Sequence, residues 1–175
     1  MKAFHSVLSL SAVLAIALLS GCASSGPKLQ THADSAVAYD SYKSFAMVFT
    51  SNLPVASNPA ITPALIREIR AEMETAFVAK GLAKVRQPQA DLLVYLHGGL
   101  QQKIDIQDAA FAPARFGGRG YDIDQYQEGT ILIDVVDART RELVWRGSIV
   151  GEVTKQPEAG KIKAAVGAVV ARYPN

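Results

Sequence analysis

Hydrophobic positions change their period along this chain, and each change marks an element. An apolar run from Val7 to Leu19, broken by Ser9 and Ser11, lies near the start. Tyr42 to Phe49 is dense in aromatic and β-forming residues and predicts a first strand. From Thr62 the period becomes helical. Leu65, Ile66, Ile69, Met73, Ala76 and Phe77 share one face, while Arg67, Glu68, Arg70, Glu72 and Glu74 take the other. Thr62 suits the N-cap, Pro63 the first helical position and Gly81 the C′ position. Leu82 to Val85 predicts a short strand, followed by a turn around Pro88. Leu92, Val94 and Leu96 alternate with Leu93, Tyr95 and His97, and the pattern runs on through Leu100, Ile104 and Ile106. Gly98-Gly99 inside it predicts a bulge or a sharp bend. A long loop, Gln107 to Gln127, leads to a second alternating run from Thr130 to Val136. Leu143, Trp145, Ile149 and Val153 share a parity beyond it, so Asp137 to Arg141 joins a hairpin. Ile162, Ala165, Val166, Val169, Val170 and Tyr173 mark one face of a last helix, stopped by Pro174. The order β-α-β-β-β-β-α predicts an α+β fold: an antiparallel β-sheet with two helices packed on one face, a two-layer sandwich.

The first apolar run asks for a different reading. It follows Lys2, is shorter than the roughly 20 residues a membrane crossing needs, and ends in small residues, the layout of an export signal. Its last residues, Leu19-Ser20-Gly21-Cys22, are similar to the bacterial lipobox, and Cys22 is the single cysteine of the chain. The resemblance implies recognition of Leu19, Ser20 and Gly21 by a dedicated peptidase. It also implies a diacylglyceryl thioether on Cys22 and a further palmitate-type chain on the new amino group. One acyl chain binds a bilayer marginally, about 10⁴ M⁻¹, whereas two or more hold it stably. With one cysteine no disulfide forms within the monomer. Ala23 stands where an aspartate commonly keeps such proteins in the inner membrane, so the expected location is the outer membrane, periplasmic face.

On this reading residues 1–21 are the signal peptide, 22–35 the lipidated N-terminus and a flexible tether, and 36–175 a single α+β domain. The tether is small and polar, with Gly26-Pro27 and a solvated His32. The chain carries 18 basic and 16 acidic side chains, and the leader removes Lys2 alone, so the mature protein is near neutral. Nucleic acid, which needs a basic face, is not an expected partner.

The stretches YDSYKSFAM, ADLLVYLHGGL, GTILIDVVDARTRELVWRGSIVGEV and IKAAVGAVVARYPN resemble the bacterial lipoproteins catalogued as domain of unknown function 4136. The likeness runs from about Asp34 to the end. It is most specific in the hairpin from Asp134 through Trp145-Arg146-Gly147, and next at the strand start Ala90-Asp91-Leu92. Met47 departs from the aromatic residue often found at the end of the first strand. The resemblance implies export, a lipid anchor and one small α+β domain. It implies no chemistry, since the family has no established activity.

The residues themselves offer little catalysis. The mature chain has two histidines, His32 and His97, neither with neighbours at metal-ligand spacing, so no metal and no cofactor is expected. Asp122, Asp124 and Glu128 fail the calcium-loop pattern, which wants glycine at position six and an acid at twelve, where Gln127 and Ile133 stand. Gly117-Gly118-Arg119-Gly120 lacks the Lys-Ser/Thr ending and the strand-to-helix context of a phosphate loop. The loop Gln107 to Gln127 is unusually long for a compact domain. It carries Phe111, Arg115, Phe116, Tyr121 and Tyr126, residue types that anchor interfaces, and it is the candidate interaction site. Three functions follow in order of preference. The first is a non-enzymatic module, anchored to the membrane through Cys22, that binds another envelope protein or maintains the envelope. The second is a binding module for a small apolar or lipid ligand held between helix and sheet. The third is a hydrolase using the acids between Asp105 and Asp124.

Overall fold

Six strands and two helices account for most of the ordered backbone. They are β1 (Lys28–Ala33), β2 (Ser44–Val48), α1 (Pro63–Ala79), β3 (Ala83–Lys84), β4 (Leu92–Asp108), β5 (Tyr121–Asp137), β6 (Leu143–Glu152) and α2 (Ala159–Val170). The computed structural model describes residues 26–48, 61–108, 121–154 and 158–174, with backbone alone between 104 and 108 and between 121 and 125. The strands form one mixed sheet in the order β1-β6-β5-β4-β2-β3.

The α+β class is as expected, but the sheet is not purely antiparallel. β2 runs parallel to both β3 and β4, with Phe45 opposite Lys84 and Leu92. The cause is the helix between them. α1 has 17 residues, about 25 Å of rise, and carries the chain back along the sheet, so the next strands start at the end where β2 started.

α1 forms where its sequence marks it. The Thr62 hydroxyl accepts from Leu65 N–H at 3.1 Å, and Pro63 opens the helix. Gly81, at φ 87°, closes it, with Leu82 N–H bonded to Phe77 O and Gly81 N–H to Val78 O. These are the two bonds of a Schellman ending. Its buried face, Ile66, Ile69, Met73 and Phe77, joins one hydrophobic cluster with Phe45, Leu92, Val94, Ile133, Val135, Trp145 and the α2 residues Val166, Val169 and Val170.

Gly147 explains part of the hairpin motif. A Cβ there would stand 2.5 Å from Trp145 Cη2 and 3.2 Å from Val169 Cγ2. The missing side chain is the space in which the fully buried indole lies.

Three boundaries differ from the sequence reading. Lys28–Ala33, placed in the tether, is an edge strand antiparallel to β6, with Leu29 opposite Ile149 and Ala33 opposite Trp145. Five of its six residues are exposed, so it carries no apolar alternation, and its order comes from the ladder rather than from burial. The long loop is shorter than expected, because β4 runs to Asp108 and β5 begins at Tyr121. Asp122, Asp124, Gln125 and Gln127 read as loop by polarity, yet the backbone pairing continues through them. The ladder also runs unbroken through Gly98 and Gly99, and the irregularity lies at Val135/Val136 instead.

Candidate functional site

Successive side chains of a strand point to opposite faces, so the residues between those of the core form a second surface. Across it the register sets Tyr95 opposite Asp134, Asp134 opposite Arg146, and Arg146 opposite His32. Asp134 is 8% exposed and fully engaged: Arg146 Nε donates to Oδ1 at 2.6 Å and Nη2 to Oδ2 at 2.7 Å. That fork-to-carboxylate fit holds the Arg146 guanidinium above its usual pKa, against the effect of burial. His97 Nε2 lies 3.5 Å from Asp134 Oδ2. The His97 ring stands parallel to Tyr95, 7° apart, with centroids separated by 6.2 Å. A histidine beside a carboxylate is part of a hydrolytic triad. Ser148 shares the face but lies opposite Leu132, which is itself opposite His97. That places it two strands away, about 10 Å, beyond a hydrogen bond. The bonds of the cluster tie β4, β5 and β6 together on this face.

A second polar group lies at the end of the sheet, around the β5–β6 turn. Asp137 accepts from Arg139 N–H at 2.7 Å, Thr140 N–H at 2.9 Å and the Tyr42 hydroxyl at 2.9 Å. Burial opposes the charge on Asp137, but those donors outweigh it and hold the carboxyl below its ordinary value. Burial and the bond to Asp137 push the Tyr42 hydroxyl up to about 12. Asp91 accepts from Lys43 N–H, Ser44 N–H and the Ser44 hydroxyl, and the Lys43 bond leads in lowering its pKa. Both carboxylates are therefore joints of the fold. Beside them is a cleft of about 440 Å³ lined by Gln87, Pro88, Ala90, Leu93, Ala138, Arg139 and Arg141.

The residues singled out from sequence are dispersed. Leu19, Ser20, Gly21 and Cys22, and Phe111, Arg115 and Phe116 of the loop, lie outside the described residues. Tyr121 opens β5 opposite Asp108, and Tyr126 faces Lys103 across the ladder. Asp105 is directly opposite Asp124, and Asp122 is opposite Gln107. His32 is exposed on the edge strand, whereas His97 joins the Asp134 cluster. Among the described residues no three His, Cys, Asp or Glu side chains gather as for a metal, and no helix is long and apolar enough to cross a membrane. Sequence reading passed over the Asp134–Arg146 pair. Its signal was present, since both residues occupy outward positions on strands joined by one hairpin. Phe77, Met73 and Trp145, each at 0% exposure, belong to the one cluster that α1, α2 and the strands share.

No curated protein matches the chain. Among solved structures it is similar to a PDZ domain protein from Parabacteroides distasonis, with 13% identity and a TM-score of 0.56 over 83% of this chain. It spans only 35% of that larger protein. It is also similar to a DUF4136 family protein from Bacteroides thetaiotaomicron, with 14% identity and a TM-score of 0.52, covering 82% of this chain and 92% of the other. At such identities the likeness is one of fold. The family profile described as domain of unknown function (DUF4136) matches residues 29–175, and the chain belongs to that family.

Proposed function

We propose that this protein is a lipid-anchored, non-enzymatic interaction module of the bacterial envelope. Cys22 carries the lipid at the periplasmic face of the outer membrane, and the end of the β4–β5 hairpin contacts another envelope protein. One observation carries the contact: among the described residues β4 and β5 outrun their neighbours. Within those residues, pairing with β2 reaches Tyr95 and pairing with β6 reaches Glu128, with Val153 N–H bonded to Gln127 O just beyond. Beyond those points a two-stranded ribbon continues to Asp108 and Tyr121. An isolated pair of strands is marginal in water, and a free strand edge is a ready template for a partner's backbone. Phe111, Arg115 and Phe116 fall between the ends of the ribbon, with Tyr121 and Tyr126 on it. Both helices and the inward residues of four strands share one cluster. This supports a two-layer arrangement of helices and sheet.

The test is crosslinking in intact cells of the native host, with capture identified by mass spectrometry. The wild type should fractionate with membranes, and Cys22→Ser should lose its acylation. A discrete envelope protein should be captured by the wild type and lost when residues 103–126 are replaced by a short turn. A wild type that stays soluble sinks the anchor. Equal capture by the shortened variant sinks the ribbon.

A further inference from the structure

The β5–β6 turn holds a residue in a conformation that its side chain disfavours. Asp137 N–H bonds to Glu142 O at 2.9 Å and Arg141 N–H to Asp137 O at 2.9 Å, which leaves Arg141 as the last turn residue, at φ 67°. This is the left-handed region, where glycine is at ease and a long side chain is not. An outlier of this kind raises the question of what its side chain does. Arg141 lines the cleft together with Arg139. Neither guanidinium has an ion-pair or hydrogen-bond partner among the described residues. Asp137 feels the Arg139 charge, but among the described residues neither nearby carboxylate forms an ion pair with the two guanidiniums. Asp137 is occupied by two backbone N–H groups and Tyr42, and Asp91 by Lys43 and Ser44. Glu142 is exposed and forms no ion pair among the described residues.

The remaining lining is a neutral amide, Gln87, and the small or apolar residues Pro88, Ala90, Leu93 and Ala138, of which Leu93, at 5% exposure, is nearly covered. A volume of about 440 Å³ falls in the ordinary range of small-molecule sites. The geometry points to this cleft as a binding site for a small organic anion, one that presents a phosphate or carboxylate to Arg139 and Arg141 and a short apolar part to Pro88. Guanidinium suits this work because its planar fork matches both oxyanions. The site is separate from the ribbon and does not depend on the ribbon having a partner.

The test is calorimetric titration of the full chain, in neutral maltoside detergent at low salt, with phenyl phosphate, benzoate and the water-soluble lipid dihexanoyl phosphatidylglycerol. Saturable one-site binding of phenyl phosphate or benzoate is expected, weakened at least tenfold in Arg139→Gln/Arg141→Gln. Arg141→Gly separates function from folding: it should melt at a higher temperature than the wild type and yet bind the anion several-fold more weakly. If the double variant fails to fold, Arg141→Lys, which keeps the charge and loses the fork, should still weaken binding. Phosphatidylglycerol binding as tight as that of phenyl phosphate identifies a lipid headgroup as the source. Phenyl phosphate binding without it identifies a soluble molecule. No saturable heat with any of the three compounds, or undiminished binding in the variants, overturns the proposal.

Discussion

Asp137 shows how one carboxylate can fix a turn. Two backbone N–H groups and a tyrosine hydroxyl converge on it, and all three favour its ionised form. Its pKa and that of Asp91 are lowered in the folded protein. The unfolded chain therefore binds protons first as pH falls. The stability these groups contribute is present above about pH 4 and is lost as pH drops through their folded values. Tyr42 acts at the other end of the scale. Its pKa is raised to about 12, so its contribution is complete below pH 10, near its unfolded value, and disappears as pH rises through 12. Thermal melts across pH should show both flanks, and Asp137→Asn should flatten the acid one. An unchanged acid flank would mean that other carboxylates dominate it. Tyr173 behaves differently. Its hydroxyl is buried without a hydrogen-bond partner among the described residues, and its ring packs edge-on against Phe77, Trp145 and Tyr39. Removing an unsatisfied polar atom while keeping the ring costs little. Tyr173→Phe should leave stability within about 0.5 kcal/mol of wild type or raise it, as read by chemical denaturation; a large loss would reveal a bond that the hydroxyl does make.

Elements were legible in proportion to how much chemistry marked their ends. α1 could be read from Thr62 to Gly81 because a cap, a proline and a left-handed glycine each have a backbone reason to stand there. β1 could not, because an exposed edge strand needs only a neighbour's backbone, and His32 and Thr31 look like tether. The β5 half of the ribbon was read as loop for a related reason: Asp122, Asp124, Gln125 and Gln127 show no apolar alternation, so nothing in their sequence reports the backbone pairing. β6 shows the reverse, a motif whose physical cause became visible only in three dimensions. Trp145 lies over Gly147 with Val169 behind it, and Arg146 between them turns outward to Asp134. Gly147→Ala inserts a methyl group where the indole sits. It should cost about 1–3 kcal/mol by overpacking and shift the tryptophan emission, since Trp145 is the single tryptophan. A variant with wild-type stability and emission would show that the indole has room to move.

For the whole molecule, class and composition were accessible and topology was not. Alternation tells which residues face a core, but the direction of β2 depends on where α1 delivers the chain, and no residue in β2 encodes that. The site suffered the same limit, since Arg139 and Arg141 become neighbours of Gln87 and Leu93 only once the turn folds back over the start of β4. The direction of β1 sets the geometry of attachment. A flexible leash from Cys22 to residue 36 would let the domain wander about 45 Å from its lipid. With β1 starting at Lys28, the stretch of sequence between Cys22 and the sheet can span at most about 20 Å. It joins the sheet from the side toward which the β4–β5 ribbon extends, because β1 runs toward the β5–β6 turn. An acylated protein built this way is moored on a short line. With Cys22 acylated as proposed, the ribbon would lie toward the bilayer and the arginine cleft away from it, so the two ends would meet different populations of molecules.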